Sequence, residues 1–465
     1  MITIGFSGHR NLINPEEVAK DIAYSLKYFR EIDKDLLAIS ALASGADTLF
    51  AEEAKKLSIP LKIILPFELE EYEKDFEERD LQKFQNILNG NDFEILNKLT
   101  SKTDKERNLA YLNTGKKIVD KSDLILAVWN GKAASGSGGT GDIIEYARSG
   151  KKELHIINAI REYSTLTFES DDADAVFKRL DNEAIKYKKR RFEPAWIAGI
   201  ISGILAVISF ALVLVFVLNP LVKIICAVGE VLFLVFSIFF LAVRARKWKN
   251  IFLSKRRGAE YLRTLIWYKL AGIPISLLDN TDYDPGSEIK EVEKKMSMDF
   301  SKIDNIPNAK RMVWCLAEEQ IDYHQKKRVS FFTKKLKNID KWLTLIKMVF
   351  FCVVALNICR EAMEFNKINS VGWIIISKPF LFFLWIILPP FYAALEGIKY
   401  FGEWKRNIAL SKKIARDLQN EKLRILDCKT EEALICETKS LRFILEIENS
   451  DWAIRYNEKE VGANL

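Results

Sequence analysis

The stretch AWIAGIISGILAVISFALVLVFVL, residues 195–218, decides how the rest of the chain is interpreted, because it contains no charged side chain. A helix of this length crosses the hydrocarbon core of a bilayer, which is about 30 Å thick. Asn219 and Pro220 interrupt the stretch, and residues 224–243 are again apolar apart from Glu230. A helix of a soluble protein seldom lacks a polar face for so long. The pattern therefore predicts a transmembrane hairpin, and the alternative is a buried helical hairpin in a large soluble core.

Basic residues stand on both sides of this hairpin. They are Lys186, Lys188, Lys189, Arg190 and Arg191 before it and Arg244, Arg246, Lys247 and Lys249 after it. Because such residues stay on the cytoplasmic side, both ends of the hairpin are expected in the cytoplasm and the turn at 219–223 outside. The net charge of +7 lies beside these spans, where it meets anionic lipid headgroups, and direct nucleic-acid binding is not expected. The six cysteines have no CxxC spacing, which indicates a reducing compartment without disulfide bonds.

A second apolar hairpin repeats the pattern. Residues 342–359 and 371–395 predict a third and a fourth span. Two motifs surround both hairpins in the same order, namely ExIxY at residues 183–187 and 319–323 and NIxLSK at residues 250–255 and 407–412. This order indicates an internal duplication, whereas the alternative is a chance match between two basic helices beside the membrane.

Three charged residues fall inside or close to the predicted spans, namely Glu230, Lys347 and Lys378. A charge within a bilayer is costly, so it usually faces the interior of a helix bundle or water. We therefore predict that these residues line a pore or contact a neighbouring helix. For Lys347, an extended side chain that reaches the membrane surface is an equal alternative.

Residues 1–160 have a different pattern, in which short apolar strands alternate with helices. The predicted strands are residues 2–6, 36–40, 61–65, 124–129 and 153–157. This alternation is typical of an α/β doubly wound domain with a parallel sheet. Three loops rich in small residues follow predicted strands, namely FSGHR at residues 6–10, LASGAD at 42–47 and GSGGTGD at 136–142.

These loops predict a site for a nucleotide or another phosphorylated ligand. Ligands bind outside the carboxyl ends of parallel strands, and glycine lets backbone amides approach an anion at a helix amino terminus. Arg10 can bind a phosphate through two parallel hydrogen bonds, and His9 is interpreted as a hydrogen-bonding residue of its loop, not as a metal ligand. The alternative for each loop is a tight turn that binds nothing. The candidate residues are Gly8, His9, Arg10, Ser44, Gly45, Asp47, Pro66, Gly138, Gly139, Thr140, Gly141 and Asp142.

The motifs GFSGHR, ALASGADTLFAEEA, ILPF, DLILAVWNG and SGGTGDIIEYA together resemble the SLOG superfamily of Rossmann-like nucleotide-binding domains, over residues 1–160. This superfamily is related to the lonely guy phosphoribohydrolases, and its enzymatic branch carries PGGxGTxxE. Here the glycines and the glutamate spacing are kept, but Ser137 replaces the proline and Asp142 the threonine. The resemblance implies a sensor without catalytic residues, metal or cofactor, whose ligand is a nucleotide second messenger. Glu145 is the catalytic candidate if the domain is an enzyme, and a helix-surface residue otherwise.

The two-span unit resembles SLATT, the membrane effector domain that accompanies SLOG domains in prokaryotic defence. The predicted division is a SLOG-like domain at 1–160, a linker at 161–182, a first two-span unit at 183–270 (spans 195–218 and 224–243), a loop at 271–309, a second two-span unit at 310–430 (spans 342–359 and 371–395) and a cytoplasmic helical tail at 431–465. The fold class is thus a doubly wound α/β domain followed by an α-helical membrane domain with four transmembrane helices.

The two resemblances imply a membrane effector of a prokaryotic anti-phage defence system. A nucleotide signal, either a cyclic oligonucleotide or a derivative of NAD or ADP-ribose, would bind the cytoplasmic domain, and the spans would then form or open a pore that disrupts the membrane. The expected location is the inner membrane, with several passes, both termini in the cytoplasm and a homo-oligomeric assembly. One alternative is a membrane-anchored nucleotide N-glycosidic hydrolase of the phosphoribohydrolase type. Another is a structural membrane scaffold whose loops bind nothing.

Overall fold

A computed structural model of the chain describes residues 1–96, 103–134, 138–159, 171–187, 246–275, 287–297, 303–365, 371–401 and 404–461, together with the single positions 189, 224, 228 and 232. Residues 195–218 and nearly all of 224–243, including Glu230, lie outside this description. The first hairpin therefore stays a prediction from the sequence.

The amino-terminal region is a six-stranded parallel sheet with the strand order β4-β3-β2-β1-β5-β6. Its strands are β1 (Ile2–Gly8), β2 (Leu36–Ser40), β3 (Leu61–Leu65), β4 (Asp92–Ile95), β5 (Leu124–Trp129) and β6 (Glu153–Asn158). The predicted doubly wound α/β fold is confirmed. Strand β4 was not predicted, because it is an edge strand of four residues with an exposed Asp92 and Phe93, and it lacks the apolar run that marks the other strands.

Helices cover both faces of the sheet. They are α1 (Pro15–Ile32), α2 (Ala46–Lys56), α3 (Leu69–Tyr72), α4 (Glu78–Leu88), α5 (Asp104–Asp120) and α6 (Thr140–Ser149). On one face, Ile125 and Ala127 of β5 pack against residues of α5 and α6. Phe6 of β1 stacks on Phe50 of α2, with 4.3 Å between the ring centres. Because Phe6 pairs with Leu126, and side chains alternate along a strand, this contact lies on the opposite face.

The region after the sheet is helical in the described residues. Its elements are α7 (Asp171–Tyr187), α8 (Arg246–Leu270), α9 (Ser287–Ser297), α10 (Ile306–Asp322), a π-helical segment (Tyr323–Val329), α11 (Ser330–Phe365), α12 (Val371–Phe401), α13 (Trp404–Asp427) and α14 (Glu431–Val461). The chain divides into two compact units, each made of separate segments. The first contains residues 1–178, 258–321 and 417–458, and the second contains residues 179–257, 322–416 and 459–465.

In the first unit, α10 lies along the outer edge of β6. The side-chain amide of Asn305 donates to the carbonyl of Leu154 at 2.9 Å. The amide of Ile156 donates to Asn308 Oδ1 at 2.9 Å, and Arg311 donates to the carbonyl of Ile156 at 2.6 Å. These side chains pair backbone groups that an edge strand would otherwise leave open.

The interval 271–309, predicted as a loop, contains the helix α9, so that prediction is wrong over residues 287–297. Ile289 and Val292, which are three residues apart, are buried on one side of α9. The hydroxyl of Tyr261 in α8 donates to Glu293 at 2.9 Å. Among the described side chains of this helix, two buried apolar residues mark its inner side, and the charged residues around them resemble a solvated loop.

In the described part of the chain, one helical run, Ile306–Met363, is long and apolar enough to cross a membrane. This run contains the predicted third span. Only 17% of its most apolar stretch is buried, whereas a core helix of a soluble protein is mostly buried. The apolar segment Phe380–Glu396 of α12, which overlaps the predicted fourth span, is shorter. Four spans are therefore not confirmed.

Candidate functional site

The strand order of the sheet reverses at β1, which pairs with β2 on one side and with β5 on the other. At such a point, the helical connections to the strands on the two sides run in opposite directions. A crevice opens there at the carboxyl end of the strand, and ligands of doubly wound folds bind in it. The loops after β1, β2 and β5, each predicted to bind the ligand, all begin at this edge of the sheet.

The loops after β1 and β2 are in close contact. Gly45 has φ of +90°, and a Cβ at this position would lie 2.1 Å from the carbonyl oxygen of Arg10. A Cβ at Gly8 would lie 2.5 Å from the Cβ of Ala46. The amide of Ala46 donates to the carbonyl of His9 at 3.1 Å. Both glycines are therefore required for this approach, and neither position tolerates a side chain without moving the backbone.

Asp47 is buried beneath these two loops. Its carboxylate accepts a hydrogen bond from the Ser40 hydroxyl at 2.8 Å and is also bonded by the backbone of Gly8 and Ala41. Burial raises its pKa from 3.8 to about 7, against the opposing effect of these hydrogen bonds. Asp47, predicted as a ligand contact, thus has its donors within the protein and holds the two loops together.

His9 connects the loop after β1 to the loop after β5. Its amide donates to the carbonyl of Val128 at 3.2 Å, and its ring atom Nε2 accepts from the amide of Asn130 at 3.1 Å. An accepting Nε2 requires the neutral ring, with the proton on Nδ1. Burial lowers the pKa of His9, which favours this neutral form. The geometry matches the interpretation of His9 as a loop hydrogen-bonding residue.

The loop before α6 closes on itself. Gly138 has φ of +90°, and its amide donates to Asp142 Oδ2 at 2.8 Å. Gly139 caps the helix, Thr140 is buried, and a Cβ at Gly141 would lie 2.7 Å from the backbone nitrogen of Ala134. Asp142 therefore takes one amide that could have faced an anion and adds a negative charge beside the helix amino terminus. This end of α6 is less suited to a phosphate than the glycine pattern predicts.

Tyr111 of α5, which the sequence did not single out, contacts the loops after β1 and β5 and also Phe67 after β3. The Arg10 guanidinium is 5.3 Å from the centre of its ring. A Cβ at Gly138 would lie 3.0 Å from its Cβ, and its ring is 5.3 Å from that of Phe67. Its hydroxyl bonds to Asp75. The residue was missed because residues 69–120 have a high charge density and no loop motif, and its contacts come from distant segments.

The polar side chains at this edge differ in whether they are free to bind an external ligand. Ser44 donates its hydroxyl to Asp80, and Arg107 bonds to both Glu71 and Asp75. Arg10 is exposed, and no carboxylate of the described residues pairs with it. Arg10 is thus a cation placed on an aromatic ring and open to an external anion.

The remaining candidates lie elsewhere or outside the described side chains. Pro66 is buried at the end of β3, and Glu145 is exposed on α6. Lys347 lies on α11 with its Nζ 5.1 Å from the ring centre of Tyr392 on α12, which is a contact between neighbouring helices. The side chain of Lys378 is not described. Among the described residues, no three His, Cys, Asp or Glu side chains are grouped so as to hold a metal ion.

The sequence matches no protein-family model, and no curated protein matches it. The resemblance to SLOG and SLATT domains therefore stays a prediction from the motifs.

Proposed function

We propose that the crevice at the carboxyl ends of β1, β2 and β5 binds a nucleotide-derived signal. The observation that carries the proposal is the position of Arg10, an exposed guanidinium without a carboxylate partner in the described residues, held over the ring of Tyr111. A guanidinium binds phosphate with two parallel hydrogen bonds, and an aromatic ring nearby offers a surface for a base. Both features stand at the switch point of the strand order, where this fold binds ligands.

The domain acts in this proposal as a sensor and not as a hydrolase. Asp142 stands where the resemblance to the enzymatic branch requires a threonine, and it bonds the amide of Gly138. A carboxylate in this position repels the phosphate that the enzymatic motif would bind. The alternative, a nucleotide N-glycosidic hydrolase that uses Glu145, would be supported by turnover of a nucleotide by the purified chain.

The helical region supplies the membrane effector in this proposal. Within the helical run Ile306–Met363, the predicted span 342–359 enters the membrane together with α12, and the hairpin predicted at 195–243 adds two further spans. Ligand binding shifts a homo-oligomer of the inner membrane, with both termini in the cytoplasm, towards an open pore as part of anti-phage defence. Such a shift from 1:99 to 99:1 requires about 5.5 kcal/mol of differential binding between the two states. The apolar runs and the two resemblances support this part.

The test uses the full chain in detergent and a set of cyclic oligonucleotides, NAD and ADP-ribose, with binding measured by titration calorimetry. The full chain is needed because residues 303–321 cover the edge of β6. Replacing Arg10 by Ala removes a charged hydrogen-bond donor, so the affinity of the nucleotide that binds should fall about 10- to 100-fold. Arg148→Ala is the matched control, since Arg148 is also exposed and stacks on an aromatic ring, that of Trp129 at 5.4 Å. Equal affinity in both variants, or no binding of any nucleotide, would contradict the proposal.

A further inference from the structure

Helix α11 contacts α12 through Asp340 with Lys399 and Lys347 with Tyr392, and its buried residues form a narrow stripe. Its buried residues recur at alternating intervals of three and four and include Ile339, Leu343, Ile346, Val353 and Arg360. Such spacing is that of a two-helix seam, in which each helix turns one stripe towards its partner. Most of the circumference of α11 is therefore exposed.

The first turns of α11 expose basic and aromatic side chains next to this seam. We call this set the basic collar: Phe331, Lys334, Lys335, Lys337, Lys341 and Trp342, all exposed. Phe331 is 53% exposed and Trp342 is 60% exposed, although both are large and apolar. With 3.6 residues per turn, the six side chains fall within an arc of about 160° on the helix. They therefore form one surface and are not spread around the helix.

The positive charge of the basic collar is not neutralised within the described residues. Asp340 is the one acidic residue in the interval 330–342, and it pairs with Lys399 of α12 at 2.7 Å. Lys335 lies over the ring of Phe331, with its Nζ 4.5 Å from the ring centre. In the part of the chain that the structure describes, no carboxylate pairs with any of the four collar lysines. An external anion is the partner that their charge fits.

The same face of α11 becomes apolar immediately after the basic collar. Leu345, Met348, Val349 and Leu356 are all exposed, and helical spacing places them in line with the collar. A surface that is basic and aromatic at one end and apolar at the other matches a phospholipid, whose phosphate is joined to acyl chains. A nucleic acid or an acidic protein would leave the apolar part in water.

We propose that the basic collar binds the phosphate headgroups of anionic phospholipids in the cytoplasmic leaflet. The inference rests on the proposed membrane location of α11. Lysines at the membrane surface are attracted to anionic lipids, and Trp and Phe are favourable at the level of the headgroups. Bound lipid of this kind anchors the start of α11 and fixes its depth, independently of any nucleotide bound at the sheet.

The test measures thermal unfolding of the full chain in detergent with added phosphatidylglycerol, phosphatidylcholine or inorganic phosphate at equal concentrations. A ligand that binds the folded state raises the melting temperature. Phosphatidylglycerol should raise it more than phosphatidylcholine does, and the variant K334Q/K335Q/K337Q should lose this difference. K34Q/K105Q/K132Q removes the same charge from exposed lysines of the sheet region and should keep it. K334R/K335R/K337R retains the charge and should also keep it.

Three results would overturn the basic collar as a lipid site. In the first, the two lipids raise the melting temperature of the wild type equally. In the second, K334Q/K335Q/K337Q keeps the full difference between the two lipids. In the third, inorganic phosphate raises the melting temperature as much as phosphatidylglycerol does, and this variant abolishes that increase. Alkaline carbonate extraction of cell membranes separates these failures from failure of the proposed membrane location. A chain released by carbonate contradicts the span itself, whereas a retained chain without the lipid effect contradicts only the collar.

Discussion

Asp47 occupies the point where the loops after β1 and β2 meet, and its environment makes its charge depend on pH. The carboxyl is buried and bonded by the Ser40 hydroxyl. Burial disfavours the ionised form more than the local donors favour it, so the pKa rises to about 7. Arg10 is close enough to favour the ionised form slightly. The charge state of one residue thereby affects the loops that form the candidate site.

The pH dependence of stability gives a direct check on this environment. The pKa of Asp47 is 3.8 ordinarily and about 7 in the folded chain, so between these values the folded chain binds more protons than the unfolded chain. The contribution of Asp47 to the free energy of unfolding is therefore full below about pH 4 and falls as the pH rises towards 7. Asp47→Asn cannot ionise and should gain in melting temperature relative to the wild type between about pH 5 and pH 8. Asp92→Asn, at an exposed position of β4, is the control, and a parallel course of Asp47→Asn and wild type would contradict the raised pKa.

At the scale of elements, α10 stabilises the sheet by pairing the edge of β6. Arg311 is almost fully buried and donates to the hydroxyl of Ser25 in α1 at 2.6 Å and to the carbonyl of Ile156. It also donates to Asn308 Oδ1 at 3.0 Å. A single guanidinium thus joins α1, β6 and α10, and it pairs one backbone group of β6 that no neighbouring strand pairs.

Replacing Arg311 by Met keeps most of the side-chain volume but removes every donor. The Ser25 hydroxyl and the Ile156 carbonyl would then be buried without this partner, at a cost of about 1–3 kcal/mol for each group. We expect a lower melting temperature of the full chain in a thermal scan. Lys326→Met, at an exposed position of the π-helical segment, should have little effect, since its ion pair with Asp322 is at the surface. An unchanged melting temperature for Arg311→Met would show that the Arg311 guanidinium does not stabilise the edge of β6.

The elements differ in how well the sequence predicts them, and the difference has a physical basis. Strands β1, β2, β3, β5 and β6 are buried apolar runs, which produce a strong local pattern. Strand β4 and helix α9 carry few apolar residues, and their structure depends on contacts such as Glu94 with Lys117 at 2.5 Å and Tyr261 with Glu293. The glycine loops were predicted at the correct edge of the sheet because a run of small residues directly after an apolar strand is visible in the local sequence. The position of Tyr111 beside these loops depends on tertiary contacts with distant segments, and no local sequence pattern indicates it.

At the scale of the whole molecule, the two compact units interleave along the chain. The unit that contains the sheet also takes residues 258–321 and 417–458, which the sequence assigned to the two membrane units, the loop between them and the tail. Within it, Tyr28 of α1 packs edge-on against Trp314 of α10 at 5.6 Å, and both rings are buried. Segments on either side of the α11–α12 hairpin therefore belong to one folded body with the carboxyl edge of the sheet. A span topology must return the chain to the compartment of the sheet after this hairpin.

That requirement makes membrane topology the decisive measurement for the four-span arrangement. If α11 and α12 both cross, the turn between Phe365 and Val371 lies outside, whereas Ser287 at the start of α9 stays with the sheet in the cytoplasm. In a cysteine-free background, Lys367→Cys and Lys223→Cys should react with a membrane-impermeant maleimide on intact cells, and Ser287→Cys should react only after lysis. Position 223 tests the first hairpin, which is predicted from its sequence alone, and position 367 tests the second.

Labelling of position 287 on intact cells would contradict the four-span arrangement. Protection of position 367 alone would show that α11 and α12 do not cross and would leave the first hairpin as the membrane anchor.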